Sequence, residues 1–199
     1  MNDILSVGGI LTAFGLSSAS GLNAYLPLLV SGILVKTGYL GLGSEFSSLG
    51  TWPVIAVLAV LFLVDFVGDK IPAVDHIFHA VGTVVHPVAG ALAFASQAGV
   101  VKHVHPILAV VIGAAAGGGI HLGRAAIRPV STVATGGLAT PFVSVTEDIT
   151  SGVTTALAVL IPIAGIFLVL WIVWMIFRLR KRFAAKLPPP IARRAQESS

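Results

Sequence analysis

From Thr154 to Phe177 the chain runs without a charged side chain, and it leaves that run past Trp171 and Trp174 into Arg178, Arg180, Lys181 and Arg182. No other feature narrows the fold as much. About 20 consecutive apolar residues suffice for a helix to cross the hydrocarbon core of a bilayer. In lipid each backbone N–H and C=O must be satisfied within the protein, which leaves helices and closed barrels. The rest of the chain agrees. Of its 199 residues 56% are hydrophobic and 10% are charged, where soluble domains carry roughly 25%. The expected fold is all-α, a polytopic transmembrane helical bundle of about six hydrophobic segments. A single domain is expected over 1–183, followed by a basic, disordered tail over 184–199.

The charge is uneven. From Arg178 onward seven cations face only Glu197, so the tail carries +6 of a net +4 and the body carries −2. Directly after a long apolar helix, such a cluster reads as a cytoplasmic stop-transfer anchor. Anionic lipid headgroups are its natural contact, and nucleic acid is not an expected partner. There is no cysteine, which excludes disulfides, thiolate metal ligands and Cys nucleophiles. The apolar stretch from Gly8 to Ala19 follows Asn2 and Asp3 with no Lys or Arg before it. That is the wrong charge for a secretory signal, so the stretch reads as part of the first helix.

Two of the hydrophobic segments are interrupted. The first, Ile4 to Val35, carries SSASGLNAYLP at 17–27 and should be kinked or broken there. The second is PVSTVATGGLATPFVSVTEDI at 129–149. Between them lie a span from Trp52 to Val67, a surface amphipathic helix from Pro72 to Pro87, a short segment from Val88 to Val101 and a span from Pro106 to Leu122. GAAAGGG at 113–119 has the small-xxx-small spacing that lets helices approach closely in lipid. It lacks the following Lys and the soluble context of a phosphate loop.

Setting Pro27 over Pro141 shifts the chain by 114 positions and pairs Ser17 with Ser131 and Ser18 with Thr132. The stretch from Gly21 to Asn23 then falls beside Thr135, Gly136 and Gly137, and the span from Trp52 falls over one starting near Ile166. A two-fold internal repeat would explain this. Paired interrupted segments point to a transporter binding site, because the broken helix frees backbone groups that must meet protein, water or substrate. The path-lining candidates are Ser17, Ser20, Gly21, Asn23, Pro27, Thr135, Gly136, Gly137, Thr140 and Pro141.

The charged candidates are Asp65, Asp69, Asp75, Arg124, Arg128, Glu147 and Asp148. Charges inside a membrane segment are costly and mark function. Asp65 and Asp69 share a helix face, with Asp75, His76 and His79 near, but the set straddles Pro72 and sits at a span end, so no metal site is assigned. The remaining histidines, His86, His103 and His105 among them, read as solvated turn residues, with a proton relay as the functional alternative. There is no HExxH, no GxSxG and no P-loop. No catalytic residue, cofactor or enzymatic activity is expected.

At 69–95, DKIPAVDHIFHAVGTVVHPVAGALAFA, the chain resembles a family of small bacterial integral membrane proteins defined only as a domain of unknown function. The shared elements are Asp69, Lys70, Pro72, Asp75, Thr83, Pro87 and Gly90–Ala91–Leu92. Pro141–Phe142, Ser144 and Glu147–Asp148 follow in the same order. The chain departs from the pattern at His79, where an acid is usual, and at His86, where Arg is usual. The resemblance implies a multi-pass protein of the bacterial cytoplasmic membrane and no assigned activity.

With the basic tail inside, Lys70, Arg124 and Arg128 fall inside, and Lys36 and Lys102 fall outside. If 129–149 spans, that gives six spans with both termini cytoplasmic; if the interrupted segments are re-entrant, the count drops or the repeats invert. The functional expectation is a small transporter or channel-like permeation protein for a small solute or ion. The alternative is a non-transporting membrane scaffold that assists assembly or organises lipid. The short chain suits a homodimer, since few helices enclose a path alone.

Overall fold

The computed structural model describes residues 2–97, 102–135 and 140–184, and of these it places the side chains except at 2–6, 72, 73, 75, 76, 127–134, 162–173, 175–177 and 179–184. The chain divides into two units, Met1–Pro162 and Ile163–Ser199. Gly136, Gly137 and the tail from 185 lie outside the described residues, as do the side chains of Asp75 and Arg128.

The described residues are all-α. Helices α1 (Asn2–Ser20), α2 (Leu26–Lys36), α3 (Trp52–Gly68), α4 (Pro72–Ala95), α5 (Pro106–Thr135) and α6 (Thr140–Ala184) follow in order, with a 3-10 helix at Ser44–Gly50 before α3. Prolines set most of the starts. Pro27, Pro53, Pro72, Pro106 and Pro141 each fall in a first turn. There the missing N–H has no intrahelical acceptor to lose, and the fixed φ suits the helix. Helix α2 stops where Gly38 turns to a φ of 80° and the amide of Tyr39 reaches back to the Leu34 carbonyl at 2.8 Å.

Two helices are long and apolar enough to cross a membrane, within Ile77–Ala95 and Pro106–Ala126, and a third candidate is the 3-10 helix with α3, bent by 64°. The burial pattern agrees with insertion in lipid. Val57, Val60, Val64 and Val67 of α3, and Ile77, Val81, Val84 and Val88 of α4, are exposed. Thr12, Ser17, Ser20, Asn23 and Ser31 are 5% exposed or less. Apolar side chains face out and small polar ones face in, the reverse of a protein that folds in water.

Glycines make the interior close. A Cβ on Gly21 would lie 2.4 Å from the Gly117 carbonyl, and one on Gly113 would lie 2.5 Å from the Gly90 carbonyl. Helices α1, α4 and α5 therefore meet backbone to backbone. The Ser17 hydroxyl donates to the Gly113 carbonyl at 2.8 Å. Helix α6 runs antiparallel to α1. Thr12 donates to the Ala158 carbonyl at 3.0 Å and Ser151 donates to the Ala19 carbonyl at 3.0 Å.

Three expectations change. The surface helix and the short third segment are one helix, α4, which carries Pro87 inside it. The proline ring packs against Gly118, so the neighbouring helix supports the bend. The fourth segment does not end near Leu122, and α5 continues past Arg124 to Thr135. His86 is not in a turn. It is 4% exposed, and its ring stacks on His121 with centroids 4.3 Å apart.

Candidate functional site

The first interrupted segment is a true break. Helix α1 ends at Ser20, α2 begins at Leu26, and residues 21–25 between them are not helical. Breaking a helix strands carbonyls on one side and amides on the other. Asn23 serves the amides: its Oδ1 accepts from the Tyr25 amide at 3.1 Å and the Leu26 amide at 2.9 Å. The carbonyls are met from elsewhere. Arg124 of α5 donates to the Leu22 carbonyl, and His86 Nδ1 lies 2.6 Å from the Ser20 carbonyl.

The same asparagine gathers the acids. Its Nδ2 donates to Asp148 Oδ1 at 2.9 Å and reaches Asp65 Oδ2 at 3.4 Å, so the break, α3 and α6 meet on one side chain. Lys70, in the turn between α3 and α4, donates to Asp148 Oδ2 at 3.0 Å and to the Phe66 carbonyl at 2.6 Å. Its ammonium is 3.7 Å from Asp69 and sits 3.3 Å from the centroid of the Phe66 ring. Arg124 pairs with Glu147 at 3.2 Å. Four carboxylates thus surround two cations among the described residues. Asp69 and Asp148 are both under 10% exposed, a burial that ions tolerate only when paired and hydrogen-bonded.

A cavity of 180 Å³ opens beside the break. Its polar lining is Tyr25, Asp65 and His86, and Ile77, Phe78, Val81 and Val85 supply the apolar lining. Gly82 forms part of the wall, because a Cβ there would lie 2.9 Å from His121 and 3.0 Å from His86. Among the described residues no group of three or more His, Asp or Glu is placed to hold a metal ion.

Five of the seven charged candidates, Asp65, Asp69, Arg124, Glu147 and Asp148, lie around the break. The path candidates are placed differently. Ser17 and Ser20 bond backbone carbonyls inside the helix packing, Pro27 is fully buried in the first turn of α2, and Asn23 is 0% exposed. Thr135 is exposed at the end of α5 and Pro141 is half-buried. Thr140 is buried, and its hydroxyl has no partner among the described residues.

Lys70, Tyr25, His86 and His121 were not anticipated here. Lys70 had a signal, since it adjoins Asp69 and a charge at the end of a span seeks a partner. His86 had one too, as the position where the resemblance expects Arg and this chain carries an imidazole. Tyr25 had none, because its place on the cavity follows from how α4 crosses the break.

A family model covers residues 10–182, most of the chain. The chain belongs to the family described as Domain of unknown function (DUF4126). No curated protein and no solved structure matches the chain significantly. The family's extent takes in the break, the buried ions and the cavity together, so the whole arrangement lies within this DUF4126 domain.

Proposed function

We propose that this DUF4126 protein is a small multi-pass permeation protein of the cytoplasmic membrane that passes a small cationic solute or ion. The observation that carries this reading is the helix break at 21–25 beside a 180 Å³ cavity whose wall holds Asp65 and His86. A half-helix end next to a cavity that carries a carboxylate is an arrangement membrane transporters use for substrate. The surplus of carboxylates around the break favours a cation.

The matching helix starts support a two-fold origin of the path. A shift of 114 carries Leu26, the start of α2, onto Thr140, the start of α6, and carries Ser20 onto Ala134, one residue before the end of α5. The reading includes a multi-pass topology, lipid contact by the basic tail, a homodimer and no catalytic chemistry.

A scaffold role is the second reading, and it has its own observation. Ser17, Ser20 and Asn23 serve neighbouring backbone in a buried interior, as tightly packed structural helices do. Thiol accessibility separates the two. The chain has no cysteine, so Ala24→Cys, Val85→Cys and Ser17→Cys start from a clean background. The expected outcome is that a membrane-impermeant thiol reagent labels Ala24→Cys and Val85→Cys and spares Ser17→Cys. If it labels none of them while the exposed control Ser47→Cys reacts, the cavity is dry and the scaffold reading replaces permeation.

A further inference from the structure

The chemistry of the cavity narrows what it takes. Asp65 is served more weakly than Asp148 and Glu147. Asp148 holds Asn23 at 2.9 Å and Lys70 at 3.0 Å, and Glu147 holds Arg124. The single hydrogen bond at Asp65 is the 3.4 Å contact from Asn23, and its carboxylate forms part of the cavity wall.

His86 is the second polar group. A carbonyl can only accept, so the 2.6 Å contact with the Ser20 carbonyl puts the proton of the neutral ring on Nδ1. Nε2 is left as a lone-pair acceptor. The Tyr25 hydroxyl is the third. Neither it nor His86 Nε2 meets a protein partner among the described residues. The apolar wall comes from α4, with Phe78 held by contact with Gly68.

We propose that this cavity binds a small protonated primary amine, its ammonium group donating to Asp65 and His86 and its short alkyl body lying along Val81 and Val85. A half-buried carboxylate and a lone-pair nitrogen on the wall of one cavity call for a ligand that brings both positive charge and N–H donors. A fully alkylated ammonium brings the charge without the donors, and a neutral amide brings the donors without the charge. The rings of Tyr25 and Phe78 add their faces to a cation of either kind, so they do not discriminate; the hydrogen bonds do. The volume holds about six waters at ~30 Å³ each. It sits below the ~300 Å³ at which pockets for larger organic ligands begin, which fits an ammonium with a short chain. The inference deepens the permeation reading and rests on it for passage of the amine, though not for its binding.

The test uses the full chain purified in detergent, with radiolabelled methylammonium as the probe and gel-filtration profiles to certify each variant. Saturable binding is expected, displaced by propylammonium and not by tetramethylammonium at the same concentration. Asp65→Asn should weaken binding about tenfold or more. Val81→Phe keeps every polar group and fills the cavity from a lipid-exposed position, and it should do the same. This second variant tests the site even if the first misfolds. No saturable binding by well-folded protein, or equal displacement by tetramethylammonium, overturns the inference. Uptake into proteoliposomes is measured separately. Binding without uptake upholds the site and overturns permeation, and uptake untouched by both variants overturns the site.

Discussion

Asn23 does the work of several residues. Its carbonyl oxygen caps the amides that open α2, and its amide nitrogen ties Asp148 and Asp65 to the break. Replacing it with Ala removes both functions and leaves buried acceptors unserved, which costs about 1–3 kcal/mol per group. Asn23→Ala should therefore lower the thermal unfolding midpoint in detergent by more than Ser20→Ala, which loses one bond within its own helix. Lys70 makes the complementary case. Lys70→Met leaves Asp148 buried without its cation, at a cost of about 3–5 kcal/mol. The double variant Lys70→Met with Asp148→Asn should recover much of that loss, measured by the same unfolding experiment. If the double variant is as unstable as the single one, the pair is not what holds this corner together.

At the scale of the helix, the interior depends on small residues. Gly117 faces the His86 carbonyl at 2.8 Å and Gly90 at 3.0 Å from its would-be Cβ, while Gly119, two positions on, has nothing within 4 Å. Both belong to the run GAAAGGG. Gly117→Leu should abolish monodisperse purification or cost several kcal/mol through overpacking. Gly119→Ala should be neutral or slightly stabilising, because Ala is the better helix former. Equal effects at the two positions would contradict the packing described for α1, α4 and α5. Pro87 belongs to the same scale. It lies inside α4 because Gly118 gives its ring a seat, and sequence alone placed a boundary there.

For the molecule as a whole, α4 as a span puts the turn at 102–105 and the turn at 69–71 on opposite sides of the membrane, with Lys70 inside by its charge. In intact cells an impermeant thiol reagent should label His103→Cys directly and Ile71→Cys only after permeabilisation. Labelling of both from outside would overturn α4 as a span. The exposed valines of α3 and α4 and the buried serines of α1 fit a protein whose outer solvent is hydrocarbon. In such a protein the stability of the interior comes from close packing and polar pairing, since lipid offers no hydrophobic drive between helices.

What the chain alone determined is what lipid and the backbone impose locally. Scarce charge and long apolar runs required helices. Gly21, Asn23 and Pro27 required a kink or a break within 17–27. The glycines of 113–119 required a close helix contact, and the order of Asp69, Pro72, Asp75 and Glu147–Asp148 pointed to the family. Only the tertiary structure decided which freed backbone group each side chain would serve. Ser17 and Asn23 look like path-lining residues by type, yet they are consumed by neighbouring backbone and, for the amide of Asn23, by two carboxylates. Tyr25, Asp65 and His86, which come from three separate helices and linkers, share the cavity. The reason is physical. A polar side chain in a membrane interior bonds whatever lies within about 3 Å, and that neighbour is set by how helices far apart in sequence cross, which no local pattern records.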